Sequence, residues 1–291
     1  MFTGPPDVEA LQAKRDIVGL LDALRYAEDP AVPRSAADAL LAIGVIPTLT
    51  ILHGDIPPVL ARALPDAGPR QLIAATREVD EARRLSLLQA LVRTGDRRIA
   101  AVLHACLRDE SPLVRRQAAV HLRVLNNHNS AFALAGALSD EPSVCWQTIK
   151  SLRGLCYNDE RVQFQEIFLN GKDPEARAIA ARALGAIGDD SCVRTLMEGV
   201  ETAGKRLRQT ILIWLGRSGN RSVAGPVLHV LNQAIIFGDV ETMVEAILAL
   251  GRLGDPRALD SIEALRKYSH PVIHLAAEGA LRGIRGWDWP R

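Results

Sequence analysis

The sequence has little of several features that mark large classes of protein. Aromatic residues make up 4% of the 291 residues, there are only 4 Cys, and 35 Lys and Arg offset 34 Asp and Glu to leave a formal charge of +1. A near-neutral chain gives no reason to expect a general binder of nucleic acid or acidic lipid. The 48% hydrophobic content excludes a disordered chain, and so few cysteines exclude a disulfide scaffold.

Targeting and membrane segments are also missing from the pattern. The first residues show no basic stretch followed by an apolar one, as a secretory signal requires. No apolar run approaches the roughly 18–20 residues that span a bilayer. The cysteines lack C-x-x-C spacing, which predicts small core residues in a reduced compartment. We therefore expect a cytoplasmic protein without a membrane segment.

Motifs of catalytic and metal chemistry are absent as well. The sequence contains no H-E-x-x-H, Walker A, G-x-G-x-x-G or G-x-S-x-G pattern. His270 and His274 lie one helical turn apart without an adjacent acid, and two ligands alone make a weak metal site. The sequence predicts no metal, no cofactor and no catalytic residue, and it favours a protein that is not an enzyme.

A repeat of about 31 residues dominates what is present. Each copy starts with Pro or an equivalent residue, continues through an Ala-rich stretch to a Leu, and often ends at Gly. From Glu81 onward the starting positions advance by 31, 30, 32, 31, 35 and 31 residues. These starting positions are Glu81, Pro112, Pro142, Pro174, Lys205, Val240 and Pro271. An earlier copy starts at Pro30, and the step of 51 that follows it predicts a degenerate repeat or insertion at about 44–80.

Each copy predicts a helix followed by a second helix. Pro fits the first helical turn, a preceding Asp, Glu or Ser can cap it, and Gly can end it. A two-helix unit of this size cannot bury its own apolar face, but stacked neighbours can. The sequence therefore predicts an all-α fold: a single domain over residues 1–291 that forms a right-handed α-solenoid of about eight to nine helix pairs.

The stretches DPEARAIAARALGAIG (173–188) and DPAVPRSAADALLAIG (29–44) resemble the short HEAT-like repeats of phycobilisome (bilin) lyases. The resemblance covers about residues 7–285 and is specific for fold rather than for function. It implies that an Arg three residues after each start pairs with acids of neighbouring turns. The arginines at that place are Arg84, Arg115, Arg177 and Arg208, and the acids are Asp80, Asp109, Asp140 and Asp173. Cys145, Met243 and His274 depart from the pattern, so the ladder should be interrupted there.

A second set of arginines lies late in the first helix of each repeat. Its members are Arg93, Arg123, Arg153, Arg182, Arg217, Arg252 and Arg282. The resemblance implies that this helix lines the concave surface of the solenoid, where the set would form a basic stripe. The alternative is structural, because a cation near a helix C-terminus offsets the macrodipole by about 0.3–1 kcal/mol.

Trp146 and Trp214 fall on the same predicted wall. Buried, they would be core residues; exposed beside Arg, they would suit a protein-binding hot spot. The sequence thus predicts a scaffold that presents a concave Arg and apolar wall to a protein partner, and an acidic segment would suit it. The resemblance implies one alternative, a bilin lyase or bilin-protein chaperone whose tetrapyrrole propionates would meet the arginines. Nucleic-acid binding is the less favoured alternative.

The last residues, GIRGWDWPR (283–291), differ from the repeats. Solenoid ends must hide apolar faces, so Trp287 and Trp289 are expected to cap the final repeat at about 285–291. A short docking peptide for a partner is the other interpretation of this segment.

Overall fold

A computed structural model describes residues 5–52, 55–156 and 158–286. These ranges contain nineteen α-helices, numbered α1–α19 below, and six short 3₁₀ helices, with no strand among them. The predicted all-α solenoid of stacked HEAT-like helices is confirmed. Trp287 and Trp289, on which the predicted cap depends, lie outside the described residues.

The chain divides into two compact units, 1–151 and 152–291. The boundary lies inside one helix, α11 (Pro142–Leu155). The assignment of a single domain to residues 1–291 stays a prediction. The helices that precede α11 belong to the first unit: α1 (Val8–Ala13), α2 (Ile17–Ala23), α3 (Ala31–Ile43), α4 (Val45–Ile51), α5 (Pro58–Ala63), α6 (Pro69–Glu78), α7 (Glu81–Thr94), α8 (Ala100–Cys106), α9 (Pro112–Val124) and α10 (Ala131–Gly136).

The second unit holds the helices after α11: α12 (Asn158–Asn170), α13 (Pro174–Ile187), α14 (Asp190–Val200), α15 (Lys205–Ser218), α16 (Ala224–Phe237), α17 (Val240–Leu253), α18 (Leu259–Leu265) and α19 (Pro271–Ile284). Within each unit, the first helix of one repeat packs against the first helix of the next, as in the series α13, α15, α17 and α19.

Local sequence signals set where the first helices begin and end. From α7 onward, all seven of them begin at the residue that starts the repeat in the sequence. The Asp80 side chain accepts a hydrogen bond from the Arg83 backbone N–H at 2.9 Å and so caps α7. Gly188 ends α13 with φ of 71°, a left-handed conformation that disfavours side chains. The repeat pattern therefore predicts these helix boundaries, because it contains the residues that cap and end the helices.

The irregular region at 44–80 is helical but broken into short pieces. It contains α4, α5 and α6, with a 3₁₀ helix at Leu64–Ala67 between the last two. Prolines stand at the start of α5 and of α6, where a missing N–H costs nothing. A degenerate repeat in this region is consistent with these short helices.

The first unit joins neighbouring repeats by one buried and one partly buried ion pair. Arg84 is only 5% exposed, and its Nε lies 3.1 Å from Asp109 Oδ2 without hydrogen-bond alignment, so charge holds this contact. Its Nη1 donates to the Val79 carbonyl at 2.9 Å. Arg115 donates to both carboxylate oxygens of Asp140, at 2.6 and 2.8 Å. The ladder implied by the resemblance therefore exists here, with each Arg reaching the acid before the next repeat.

The second unit uses the same arginine position differently. Arg177 Nε donates to the Phe168 carbonyl at 2.9 Å, and Arg208 Nε donates to the Val200 carbonyl at 3.1 Å. These carbonyls lie in the last turn of the preceding helix, where backbone acceptors lack intrahelical partners. The expected acid Asp173 instead caps α13 through the backbone N–H groups of that helix. At this place in the repeat, the contact of the second unit is thus a hydrogen bond to the end of the preceding helix.

Glycines bring the first helices of the second unit into close contact. A Cβ added to Gly185 would lie 2.4 Å from Trp214 Cβ. One added to Gly216 would lie 2.7 Å from Ala249 Cα, and one added to Gly251 would lie 2.6 Å from Ala280 Cα. Real Cβ atoms do not approach that closely, so these helices pack backbone against backbone.

In the part of the chain that the structure describes, no single helix has the length and apolar character of a membrane span, although the pair α3 and α4, bent by 113°, passes that test when the two are taken together.

Candidate functional site

The seven predicted wall arginines differ in exposure and in position on their helices. Each lies close to a buried leucine of its own helix, which serves as a reference. Arg93, Arg217 and Arg252 come two residues after that leucine, and Arg123, Arg153 and Arg282 come one residue after it, whereas Arg182 comes two residues before it. These places are eight, eleven and twelve residues after the repeat start and fall within about 100° around a helix, so each Arg lies on the same broad face of its own helix. The common wall that they would form stays a prediction.

Several of these arginines are engaged within their own unit. Arg93 Nε donates to the Gln89 carbonyl at 3.3 Å on the same helix. Arg153 Nε donates to the Ala186 carbonyl at 2.7 Å, in the last turn of α13. Such contacts fit the structural interpretation, in which a cation offsets the carbonyl end of a helix.

The two tryptophans behave in opposite ways. Trp146 is 54% exposed, and the Lys150 ammonium lies 3.4 Å from its ring centroid, a cation–π contact. Trp214 is 3% exposed and packs on Gly185. Of the two interpretations of these residues, Trp214 takes the core position and Trp146 remains on the surface.

One group of the predicted residues is brought together, on α15 and α17. The Arg217 guanidinium lies 4.9 Å from the ring centroid of the buried Trp214, while Arg217 itself is exposed. Arg252 is half-buried on the neighbouring helix, within electrostatic reach of both Arg217 and Glu245. Trp214, Arg217, Glu245 and Arg252 are called the α15–α17 cluster below.

Burial and charge shift the pKa values within this cluster. Burial raises the pKa of Glu245, while Arg252 and Arg217 act in the opposite direction. Burial also lowers the pKa of Arg252, and Arg217 lowers it further, whereas Glu245 raises it. Two guanidinium groups and one carboxyl group therefore interact in a partly dehydrated site.

Guanidinium groups bind carboxylates and phosphates well because their planar N–H donors match two acceptor oxygens. The ring of Trp214 contacts the Arg217 guanidinium and restricts the conformations of that side chain. Arg217 therefore loses less conformational entropy when a partner binds. The α15–α17 cluster is therefore chemically suited to an anionic group on a partner.

Sequence reasoning missed the acids that accompany these arginines. Arg182 Nη2 lies 3.3 Å from Glu175 Oε1, and Glu245 accompanies Arg252. In both cases the Glu precedes the Arg by seven residues, which is two helical turns and therefore one face of the helix. The seven-residue spacing is visible in the sequence and could have identified these two acids.

One residue of the histidine pair, His274, makes a structural contact. The Nδ1 of His274 lies 2.8 Å from the Arg266 carbonyl, at the end of α18, and its Nε2 lies 3.6 Å from the Glu278 carboxylate. His274 thus takes the role that Arg177 and Arg208 have in their repeats. Within residues 5–52, 55–156 and 158–286, no group of three or more His, Cys, Asp or Glu is placed to hold a metal.

Two repeat families match the second unit. HEAT repeats match residues 163–235, and the PBS lyase HEAT-like repeat matches residues 244–267. The chain is a HEAT-like repeat protein. The first match contains the repeat starts at Pro174 and Lys205. The second begins four residues after the start at Val240 and includes Glu245 and Arg252.

Solved structures similar to this HEAT-like repeat protein have little sequence identity with it. Human deoxyhypusine hydroxylase is 18% identical, with 97% of this chain and 99% of that chain covered and a TM-score of 0.39. An engineered protein is 17% identical, with 97% and 92% covered and a TM-score of 0.34. The complex of CpcE and CpcF of phycocyanin lyase from Nostoc sp. PCC7120 is 18% identical, with 92% and 94% covered and a TM-score of 0.30. No curated relative matches the sequence.

Proposed function

We propose that this HEAT-like repeat protein is a non-enzymatic scaffold that binds a protein partner, with the α15–α17 cluster as its main contact. The observation that carries the proposal is the exposed Arg217 held over the buried Trp214 at 4.9 Å. Arginine and tryptophan are enriched among the few residues that dominate protein–protein binding energy. A preorganised Arg loses less side-chain entropy on binding than a mobile one.

Partner capture from native lysate tests this proposal with one charge reversal and a matched control. Arg217→Glu should remove at least one captured protein, because it repels the anionic group that the wild type binds. Arg194→Glu makes the same charge change at an exposed site on α14. It should leave the captured proteins unchanged. If the two variants capture the same proteins as the wild type, the α15–α17 cluster is not the contact.

The remaining predicted wall residues, Arg93, Arg123, Arg153, Arg182, Arg282 and Trp146, stay predictions as partner contacts. Trp146 carries the same chemistry as the α15–α17 cluster in simpler form, since Lys150 lies over its exposed ring. Trp146→Ala in the capture experiment tests it: we expect weaker capture and an unchanged melting temperature, because the ring is 54% exposed.

The tetrapyrrole alternative uses the same arginines, since propionate groups are carboxylates. The match of residues 244–267 to the PBS lyase HEAT-like repeat favours testing it. A shift in visible absorbance when a linear tetrapyrrole is mixed with the wild type, and its loss in Arg217→Glu, would support this role. Nucleic-acid binding stays a prediction whose mark is a steep fall in affinity with salt.

We propose a cytoplasmic location for the scaffold. Cys106, Cys156 and Cys192 are buried free thiols, as expected for a reducing compartment. Burial raises the pKa of Cys106 to about 12, so this thiol stays protonated and unreactive at neutral pH.

A further inference from the structure

Three exposed apolar side chains lie on the first helices of two neighbouring repeats of the first unit. Leu113 and Val124 of α9 are 51% and 61% exposed, and Trp146 of α11 is exposed as well. Single exposed apolar residues are normal on a protein surface, whereas contiguous ones mark an interaction site. The geometry of the two helices decides which of these cases applies.

The apolar residues of α9 form one stripe along the helix. Leu113, Val120 and Val124 come one, eight and twelve residues after the repeat start, so they lie within about 40° around the helix axis. The buried residues Ala118 and Leu122 come six and ten residues after it, on the opposite side of the helix. The stripe therefore faces away from the core.

The helix α11 packs against α9 with the same side turned outward. The Ser151 hydroxyl donates a hydrogen bond to the Ala119 carbonyl of α9 at 2.7 Å, so the two helices are in contact. Leu152 is buried ten residues after the repeat start, at the place that Leu122 has in α9. Trp146 therefore lies on the same outward wall as the stripe, about one helix spacing of 8–10 Å away.

The charges on this wall are positive. Neither α9 nor α11 contains an Asp or a Glu. Arg116 is exposed and forms no ion pair in the part of the chain that the structure describes. The Lys150 ammonium lies 3.4 Å from the ring centroid of Trp146. The wall residues are called the α9–α11 face below: Leu113, Arg116, Val120, Val124, Trp146 and Lys150.

The exposed carboxylates that precede the two helices have contacts of their own. Glu110 Oε1 lies 3.2 Å from Arg84 Nη2, and Glu141 Oε1 accepts a hydrogen bond from the Ser143 hydroxyl at 2.8 Å. A carboxylate for the cations of the α9–α11 face therefore has to come from a partner.

We propose that the α9–α11 face binds an acidic amphipathic helix of a protein partner. Apolar side chains of that helix cover Leu113, Val124 and Trp146, and its carboxylates accept from Arg116 and Lys150. The stripe of α9 extends about 16 Å, three helical turns, which suits apolar anchors at three- and four-residue spacing. This surface belongs to the first unit and is additional to the α15–α17 cluster of the proposed function.

The arrangement of the cations favours a protein segment over a lipid surface. A membrane-bound helix keeps its cations on the polar face and its apolar face free of charge. Arg116 instead comes between Leu113 and Val120 along the wall, and Lys150 covers the ring of Trp146. A partner that alternates carboxylates with apolar groups matches this mixture.

Peptide binding to the full chain, followed by fluorescence anisotropy, tests the proposal. The probe is a fluorescent peptide with the sequence Glu-Leu-Leu-Glu-Glu-Leu-Leu repeated twice. Val124→Glu should weaken its binding at least tenfold, because a carboxylate enters the apolar stripe and repels the peptide. Trp146→Ala should weaken it about tenfold through loss of the aromatic contact. A peptide with Lys in place of every Glu should not bind.

Matched controls lie on exposed apolar residues of the second unit. Val162→Glu on α12 makes the same change at 58% exposure, and Phe237→Ala on α16 removes another exposed aromatic ring. Both should leave the affinity within about a factor of two. All four sites are exposed, so circular dichroism should show folded protein in every variant.

Three results would overturn the inference. The first is no saturable binding of the acidic peptide by the wild type, and the second is equal binding by Val124→Glu and Val162→Glu. The third is binding to vesicles of phosphatidylserine and phosphatidylcholine that Val124→Glu abolishes, without peptide binding, which would assign the face to a membrane.

The inference and the proposed function can fail separately. If Arg217→Glu removes peptide binding and Val124→Glu does not, the acidic helix binds the α15–α17 cluster and the role of the α9–α11 face is wrong. If Val124→Glu removes peptide binding while Arg217→Glu loses no partner from lysate, the α9–α11 face holds and the α15–α17 cluster is not the contact.

Discussion

The two compact units differ in the interior contacts that join their first helices. The first unit uses charge, with Arg84 paired to Asp109 and Arg115 paired to Asp140 across successive repeats. The second unit uses close approach, with Gly216 against Ala249 and analogous contacts at the neighbouring repeats. One repeat pattern thus supports two kinds of interface, and the choice depends on whether glycine is present at the contact.

The difference explains where the candidate site lies. Glycine contacts let helices approach, which buries Trp214 and crowds the side chains that follow each glycine. Arg217 and Arg252 each come directly after such a glycine. In the first unit, Val92 and Arg123 stand at the place of that glycine. Close packing, rather than a basic composition, therefore builds the α15–α17 cluster.

The largest effect is expected from breaking the ladder of the first unit. Asp109→Ala leaves the exposed carboxylate of Glu110, 3.2 Å from Nη2, as the remaining counter-charge of the buried Arg84 guanidinium, and it should cost about 2 kcal/mol. Hydrogen exchange followed by mass spectrometry measures the loss unit by unit. Asp66→Ala is the control, because Asp66 pairs with Arg98 at 3.0 Å on the exposed surface, where such a pair is worth about 1 kcal/mol or less. Equal losses in the two variants would contradict a structural role for the ladder.

Replacement of one glycine by alanine in each unit should change the stability of the two units in opposite directions. Gly216→Ala forces α15 away from α17 and should destabilise the second unit by about 1 kcal/mol net of the better helix propensity of Ala. Gly136→Ala, at a helical position of the first unit with no atom within 4 Å of an added Cβ, should stabilise by up to about 1 kcal/mol. Thermal unfolding of both variants measures the contrast. Stabilisation by both would show that the second unit is not closely packed at Gly216.

Much of the fold could be predicted from sequence because caps and glycine stops are local signals. The starts of α7 through α19 at the first-helix positions follow from Pro, Asp and Gly placement alone. The partner of Arg84 was less accessible: Asp80 caps its own helix, and the ion pair forms with Asp109, 25 residues later in the chain. Which of two acids pairs with an Arg depends on how the next repeat stacks.

The candidate site was only partly predictable for the same reason. Trp146 comes four residues after its repeat start and Trp214 nine after its own, so the two lie on different sides of their helices, and Trp214 faces Gly185 of the preceding repeat. Burial of one tryptophan is thus decided by a residue about one repeat away. The half-burial of Glu245 likewise cannot be inferred from its spacing to Arg252.

The second unit also holds an ion pair between residues two apart in the chain, Asp255 and Arg257, and acid should break it. The Asp255 carboxylate accepts hydrogen bonds from the Arg257 side chain at 2.6 and 3.0 Å. These bonds are the main cause that lowers the pKa of Asp255 to about 2, and the charge of Arg221 acts in the same direction. A folded-state pKa below the unfolded value of 3.8 stabilises the protein at pH values above 3.8. This stabilisation is lost as the pH falls toward 2.

Asp255→Asn should therefore cost about 1 kcal/mol at pH 7, and the difference from the wild type should vanish between pH 4 and pH 2. Urea unfolding at several pH values measures this, and a cost independent of pH would assign the effect to packing instead of charge.

The smallest effect is expected at the ladder position of the second unit. Arg177→Met removes one hydrogen bond to the Phe168 carbonyl and keeps an apolar stem of similar length, so it should cost about 0.5–1 kcal/mol. Arg194→Met on the exposed face of α14 controls for the loss of one positive charge. A cost near that of Asp109→Ala would mean that Arg177 is held by charge after all. A small cost, with a large one in the first unit, would show that the arginine at this place keeps its hydrogen bond to the preceding helix end in both units and adds an ion pair only in the first.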